Sequence, residues 1–129
     1  MNLQLSLKTK WFEMTKAGIK TEDYREINIY WAKRLVYGID ILLAREKNRN
    51  LLSFFSDEEC YRFFTNRIGY FGYKDFITNT MTIGYPKSGD TERILKLEHK
   101  GIEIRTGNPE WGAEPDKLYF VILHGAILE

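Results

Sequence analysis

Apolar and polar residues alternate from Leu3 to Leu7, which is the pattern of a strand with one buried face. Residues 8–17 change to helical spacing, and Gly18 is placed to close that helix at its C-terminal cap. Residues 21–27 then return to an extended pattern. The chain is therefore predicted to begin with a strand, a short helix and a second extended segment.

Two further helices are predicted before residue 73. Apolar spacing from Tyr30 to Leu35 indicates a short helix, and the sequence from Ser56 to Glu59 is a capping box for a helix through about residue 65. The stretch 61–70 could equally be a strand that enters a turn. Between these helices, residues 39–44 fit helix or strand, and residues 45–50 fit a solvated loop or a helix end.

The second half of the chain carries runs that are typical of strands, separated by glycine, proline, aspartate or asparagine. A turn is expected at residues 86–90 and a long loop at residues 106–115. Helices in the first half and strands in the second predict an α+β domain with a mainly antiparallel sheet or a small barrel. The strand-like runs are Phe76–Tyr85, Ile94–Leu97, Ile102–Arg105 and Leu118–Leu123.

The chain has 129 residues, enough for one domain with a substantial core, so we expect a single domain over residues 1–129. Its net charge of +1 excludes a bulk polycation, and any contact with nucleic acid must come from a local basic patch. The only cysteine, Cys60, excludes an internal disulfide and suits a reducing interior. Without a signal peptide or a run of roughly 20 apolar residues, we expect a cytoplasmic protein that has no membrane partner.

The densest charge in the chain lies at residues 18–25, which hold a lysine, two carboxylates and an arginine. On a strand, Thr21, Asp23 and Arg25 would share one face, and Lys20 would approach from the preceding turn. An arginine fork donates to a phosphate or a base edge, and a carboxylate accepts from an exocyclic amine. The alternative is a solvated ladder of ion pairs, which contributes little to stability.

Aromatic residues offer surfaces on which a nucleobase can stack. Trp111 lies in a loop rich in glycine and proline, where it either plugs a barrel end or contacts a ligand. Arg67, beside Gly69, either contacts a phosphate or is an ordinary solvated arginine. For Trp11 and Phe12 we expect packing alone. The candidate stacking residues, whose alternative role is also packing, are Tyr24, Tyr30, Trp31, Tyr70 and Trp111.

The sequence gives no sign of a metal or a cofactor. His99 and His124 lie far apart and lack cysteine or carboxylate partners at ligand spacing, so we expect no zinc site. No P-loop or dinucleotide fingerprint is present. Cys60 has no recognisable nucleophile context, and we expect it to be buried.

Residues 18–25 resemble the hallmark of the ASCH family, which is Gly-x-Lys-x-x-Glu-x-Arg. Gly18, Lys20 and Arg25 match that hallmark. Asp23 stands where the glutamate is usual, and Glu22 lies one position early.

Other segments strengthen the resemblance, which is to the small stand-alone members of bacteria and their phages. It covers roughly residues 3–35 and 101–125, and the middle of the chain diverges. The contributing segments are Leu5–Lys8, Trp11–Phe12, Tyr30–Trp31, Arg67–Tyr70 and Thr106–Ala113.

The resemblance implies a small PUA-like β-barrel, mainly antiparallel with flanking short helices, whose cleft is lined by the hallmark charges. It also implies a role with RNA or modified nucleosides, because related PUA-like domains bind RNA. Some family members are amidohydrolases that remove an acetyl group from cytidine, and others have been assigned ribonuclease activity. In the acetylcytidine hydrolases the lysine works with a threonine three residues later. Asp23 occupies that position here, and Thr21 would have to move into it.

Three functions follow as expectations. The first is a module that binds RNA or a modified nucleoside. The second is a small hydrolase of the same ligands, with Lys20 as the base, since a lysine beside apolar walls can lose its proton, and with Glu22 or Asp23 assisting. The third is a protein–protein adaptor that uses the aromatic surface. The residues expected to contact a ligand are Lys20, Thr21, Asp23, Arg25, Tyr30, Arg67 and Trp111.

Overall fold

A computed structural model of the protein describes residues 1–39, 56–84, 86–87, 89–90 and 92–128. The segment predicted as helix, strand or loop at residues 40–50 lies outside these ranges. Position 88 of the turn predicted at residues 86–90 also lies outside them.

The described residues form a small α+β protein, in which a curled five-stranded mixed sheet makes a half-barrel with three short helices. This confirms the predicted α+β class with a mainly antiparallel sheet. A 3-10 turn at Pro109–Trp111 precedes the last strand. In chain order the elements are β1 (Asn2–Leu7), α1 (Thr9–Lys16), β2 (Glu22–Arg25), α2 (Ile29–Leu35), α3 (Asp57–Thr65), β3 (Thr78–Ile83), β4 (Ile94–Thr106) and β5 (Leu118–Leu128).

The strand order is β1-β3-β4-β5-β2, so β1 and β2 are the two edges of the sheet. β1 pairs with β3 in parallel, and the other three pairings are antiparallel. The curl brings the two edges close to each other, because Nη2 of Arg25 on β2 donates to the carbonyl oxygen of Ser6 on β1 at 3.0 Å. We call the gap between β1 and β2 the seam.

The core fills the concave side of the sheet and the helices cover it. Leu3, Leu5 and Leu7 are buried while the residues between them are exposed, as the alternation predicts. Phe64 of α3 and Phe120 of β5 are fully buried. Their rings contact edge to face, with the ring centres 5.7 Å apart. Because burial of one large apolar side chain contributes about 1.5–3 kcal/mol, this contact stabilises the packing of α3 on the sheet.

Two helix ends follow the capping signals in the sequence. α1 ends at Lys16, and Gly18 then adopts a φ of +77°, a left-handed conformation that favours glycine. Ser56 and Glu59 form the predicted capping box, so residues 61–65 continue α3 rather than begin a strand. Cys60 is buried on this helix, where burial and then Asp57 raise the pKa of its thiol to about 12.

One strand prediction was wrong. The runs at residues 94–97 and 102–105 belong to one strand, β4, because its pairing with β5 continues through two shifts of register between Leu97 and Gly101. Polar residues and a glycine interrupt the apolar pattern there, which suggested two strands. Within the described ranges no helix is long and apolar enough to cross a membrane.

Candidate functional site

A cleft of about 440 Å³ opens at the seam. Its walls come from the end of β1, from β2, from α1 and α2, and from the loop that follows β4. The three tryptophans of the chain, Trp11, Trp31 and Trp111, all line it. Asp23 and Arg25 line it as well, so the seam cleft combines aromatic faces with charged groups.

Asp23 is the centre of a buried ion cluster beside this cleft. Its Oδ1 accepts from Lys20 Nζ at 3.2 Å, and its Oδ2 accepts from Arg25 Nε at 2.8 Å. Burial alone would raise the pKa of the Asp23 carboxyl, but the charges of Arg25 and Lys20 outweigh it and hold that pKa below its ordinary value. The carboxylate is therefore ionised and both of its oxygens are engaged.

Lys20 lies behind the cleft rather than on its wall. Its side chain is 1% exposed, and Nζ also donates to the backbone oxygen of Glu22 at 2.6 Å. The rings of Trp11 and Tyr24 lie 6.0 Å and 5.6 Å from Nζ. Lys20 thus holds Asp23 in place and is shielded by aromatic rings.

Arg25 carries one of the charges that face the cleft, which Lys8, Glu26 and Glu114 also line. Nε binds Asp23, Nη2 binds the Ser6 carbonyl, and the guanidinium carbon lies 4.8 Å from the centre of the Trp31 ring. Trp31 is held in turn by Asn28, whose Oδ1 accepts from the Trp31 backbone nitrogen at 2.9 Å and caps α2. Nη1 of Arg25 has no acceptor within the described part of the chain, so it is free to donate to a ligand.

The opposite face of β2 carries a second network, centred on Glu22. Arg105 binds Glu22 with two parallel bonds, from Nη1 to Oε2 at 2.9 Å and from Nη2 to Oε1 at 2.5 Å. The Tyr24 hydroxyl donates to Oε2 at 2.6 Å. Burial alone would raise the pKa of the Glu22 carboxyl, but the bonds from Arg105 and Tyr24 lower it. Arg105 was not expected to take part, because only the register of β4 and β5 places it here.

This second network fixes the loop that carries Trp111. The Tyr24 hydroxyl oxygen accepts from the backbone nitrogen of Asn108 at 2.8 Å, and Asn108 Oδ1 accepts from the backbone nitrogen of Glu110 at 2.9 Å. Gly112 ends the 3-10 turn with a φ of +96°, and a Cβ there would lie 3.0 Å from the Trp11 ring. The loop therefore packs closely on Trp11, and Trp111 is held at the cleft wall.

The structure brings together only part of the predicted ligand-binding set. Lys20, Asp23 and Arg25 form one cluster and Trp111 lies beside it, as described above. Thr21 is exposed before β2 begins, and its carbonyl oxygen accepts from the His124 backbone nitrogen at 3.1 Å. Thr21 does not line the seam cleft.

Other candidates lie elsewhere. Arg67 follows α3, where its guanidinium lies 4.4 Å from the Phe63 ring, and it is not among the residues that line the seam cleft. Tyr70 is 84% exposed and also lies outside the cleft, and Tyr30 lines a second cavity. Trp11, expected only to pack, contacts the core and lines the cleft as well. The sequence carries no signal for this double role. Helical spacing predicts that Trp11 faces the core, but it does not predict that the other face of its ring lines a cleft.

A buried chain of polar residues crosses the interior behind the cleft. Asn79 is fully buried, and its Nδ2 donates to the Leu123 carbonyl at 3.3 Å, which fixes the orientation of the amide. Oδ1 must then accept from His99 Nδ1 at 2.8 Å, and Nδ2 must donate to His124 Nδ1 at 2.7 Å. His124 therefore carries its proton on Nε2, a buried atom without a partner among the described residues.

The environment keeps His124 neutral. Burial lowers its pKa to about 4, and the charge of Lys20 acts in the same direction against the attraction of Asp23. Within the described ranges, no group of three or more histidine, cysteine or acidic side chains is placed to hold a metal ion.

Comparison of the chain with protein-family models, curated proteins and solved structures gives no match. Function has to be inferred from the seam cleft itself.

Proposed function

We propose that this protein is a PUA-like binding module of the ASCH type, which captures RNA or a modified nucleoside by holding a base in the seam cleft. The observation that carries the proposal is the meeting of all three tryptophans with one guanidinium in a single cleft. Such a cleft offers the two things a nucleobase needs, which are flat apolar faces and a directional donor.

Size and chemistry agree with this ligand class. A volume of about 440 Å³ lies within the usual range of small-molecule sites. Stacking of a base on an aromatic side chain contributes about 1–3 kcal/mol in single-strand binders. The free Nη1 of Arg25 can donate to a base oxygen, a ring nitrogen or a phosphate, and the Trp31 ring lies against the guanidinium group.

Binding takes precedence over hydrolysis because the polar groups that a hydrolase would need are already engaged. Lys20 Nζ donates to Asp23 and to the Glu22 carbonyl and does not line the cleft. Both oxygens of Asp23 accept from cations. The aromatic residues also line a concave cleft rather than a flat surface, which supports a small ligand over an adaptor role.

Titration of tryptophan fluorescence tests the proposal, since the three tryptophans all line the cleft. Cytidine, N4-acetylcytidine and short single-stranded RNAs are the probes. We expect at least one class to quench the emission, and Trp111→Ala to weaken its binding by about tenfold or more, equivalent to the loss of about 1.4 kcal/mol of stacking. Tyr70→Ala removes an exposed aromatic outside the cleft and is the matched control.

Two outcomes would contradict the proposal. The first is the absence of quenching by every probe at millimolar concentration. The second is equal binding by wild type, Trp111→Ala and Tyr70→Ala. Chromatography of the same mixtures reports turnover, and a product that disappears in Lys20→Ala would favour the hydrolase instead.

A further inference from the structure

A second cavity, of about 1070 Å³, lies on the outer face of β1, β3 and β4. Ser6 lines both this groove and the seam cleft, so the two cavities are neighbours. We call the larger cavity the outer groove. Only a ligand longer than one nucleoside can contact both.

The strand register covers the floor of the outer groove with amide and hydroxyl groups. Gln4 pairs with Thr80 and Ser6 pairs with Thr82 across β1 and β3, and Lys96 on β4 pairs with Thr80 from the other side. Within the described residues the side chains of Gln4 and Ser6 make no hydrogen bond. Amide and hydroxyl side chains of this kind commonly contact sugars and phosphates in nucleic-acid complexes.

A continuous ladder of cations and aromatic rings joins the two cavities along α2. Arg25 lies over Trp31, and Arg34 lies over Tyr30, with its guanidinium carbon 4.4 Å from the ring centre. The rings of Tyr30 and Trp31 contact edge to face, with their centres 5.1 Å apart. Trp31 and Arg25 line the seam cleft, whereas Tyr30 and Arg34 line the outer groove.

The charge of the outer groove is also suited to a phosphate backbone. Arg34 and Lys96 lie on its walls, and Asp90, which also lies there, pairs with Arg93 at 4.0 Å. A nucleoside held in the seam cleft has no charge to place in this groove. A strand that leaves the cleft would place its phosphates beside the two cations, and aromatic platforms beside a basic groove are what single-strand binders use.

We propose that the outer groove is a second subsite, which takes the nucleotides adjacent to the base held in the seam cleft. The ligand of the protein is then a single strand of RNA that follows the Arg25–Trp31–Arg34–Tyr30 ladder, rather than an isolated nucleoside. This inference rests on the proposed function of the seam cleft.

The experiment measures the affinity of a mononucleotide and of single-stranded RNAs of two, four and about eight nucleotides. For wild type we expect the affinity to rise at least tenfold with length. Lys96→Ala and Arg34→Ala should each lower the ratio of the longest-strand affinity to the mononucleotide affinity about fivefold or more, and flatten the salt dependence by about one counterion. Lys96→Arg keeps the charge and should keep the ratio.

Lys16→Ala is the matched control, because Lys16 is exposed on α1 and lines neither cavity. Thermal melting verifies that every variant is folded. If the mononucleotide binds but length adds nothing, or if the ratio is the same in Lys96→Ala, Arg34→Ala and wild type, the second subsite is excluded and the seam cleft still stands. If neither the mononucleotide nor any RNA binds, the proposed function itself fails.

Discussion

The two faces of β2 use the same kinds of residue for different purposes. On the face toward the cleft, Asp23 joins Lys20 and Arg25. On the other face, Glu22 joins Arg105, and Tyr24 ties this pair to the loop of Trp111. One face therefore supplies charged groups to the seam cleft, and the other holds the loop that completes it, with Tyr24 also on the cleft wall. A dense run of charges can serve a single site through both faces of a strand.

The faces also differ in how deeply their charges are buried. The Lys20 and Asp23 side chains are 1% and 8% exposed. On the other face Glu22 is 11% exposed, but its partner Arg105 is 38% exposed and reaches solvent. Loss of the Asp23 charge therefore leaves a buried cation without a partner, whereas loss of the Glu22 charge leaves a cation that water can solvate. The two faces should therefore respond very differently to matched substitutions.

Asp23→Asn should have the largest effect, because it leaves the Lys20 ammonium buried without its counter-charge. We expect a loss of about 3–5 kcal/mol in the free energy of unfolding, measured by urea denaturation near neutral pH. Joint replacement of Lys20 by Met and Asp23 by Leu should recover much of this loss. A loss below about 1 kcal/mol in Asp23→Asn would contradict the buried ion cluster.

The second largest loss of stability should come from acid, which acts through His124. The pKa of this histidine is about 6.5 in the unfolded chain and about 4 in the folded chain, so the stabilisation is complete above pH 6.5 and is lost as the pH falls toward 4. A shift from 6.5 to about 4 corresponds to about 3 kcal/mol. The pKa of Asp23 is lowered, so its contribution is lost only in stronger acid, below the ordinary aspartate pKa of 3.8.

Urea denaturation across this pH range measures the effect. In His124→Gln the residue cannot titrate, and the slope between pH 6.5 and 4 should be flatter than in wild type. An unchanged slope would assign the acid sensitivity to other groups.

Glu22→Gln tests the face of β2 opposite the cleft, and it should lower the free energy of unfolding less than Asp23→Asn. The amide keeps the shape of the side chain but weakens the two bonds from Arg105, whose charge can still reach water. We expect a loss of about 1–2 kcal/mol by the same denaturation assay. A loss equal to that of Asp23→Asn would mean that the two faces do not differ as described.

Tyr24→Phe should have the smallest effect on stability, about 1 kcal/mol, because it removes one hydroxyl that bonds to Glu22 and to the Asn108 nitrogen. Its larger consequence should be greater mobility of Trp111, detected as lower tryptophan anisotropy and weaker ligand binding. Tyr61→Phe is the control, because it removes a hydroxyl that accepts from the backbone nitrogen of Leu118, and Tyr61 does not line the cleft. Equal tryptophan anisotropy in both variants would show that the Tyr24 hydroxyl does not hold the loop of Trp111.

The sequence was most informative where the cause of structure is local. Capping residues placed the ends of α1 and α3, and strand alternation placed Asp23 and Arg25 on one face. Lys20 was expected to enter the cleft from the preceding turn, but it is buried behind it. The residues that it missed depend on contacts between distant segments. Arg105 reaches Glu22 across 83 positions through the pairing of β4 and β5, and that register is not encoded in either strand alone.

The seam itself was also beyond sequence reasoning. Its formation depends on the curl of the whole sheet, which brings Ser6 and Arg25 together from opposite edges. The role of Trp11 was missed for a related reason, since a large ring can contact the core with one side and a cleft with the other.

The bond from Arg25 to the Ser6 carbonyl has a consequence for association between molecules. Exposed edge strands are templates on which a strand of another chain can pair, and proteins commonly protect such edges with charged side chains. Arg25 occupies an acceptor of the β1 edge and places a charge across the opening between β1 and β2. The guanidinium that faces the seam cleft thus also occupies a backbone acceptor at which a strand of another molecule would have to pair.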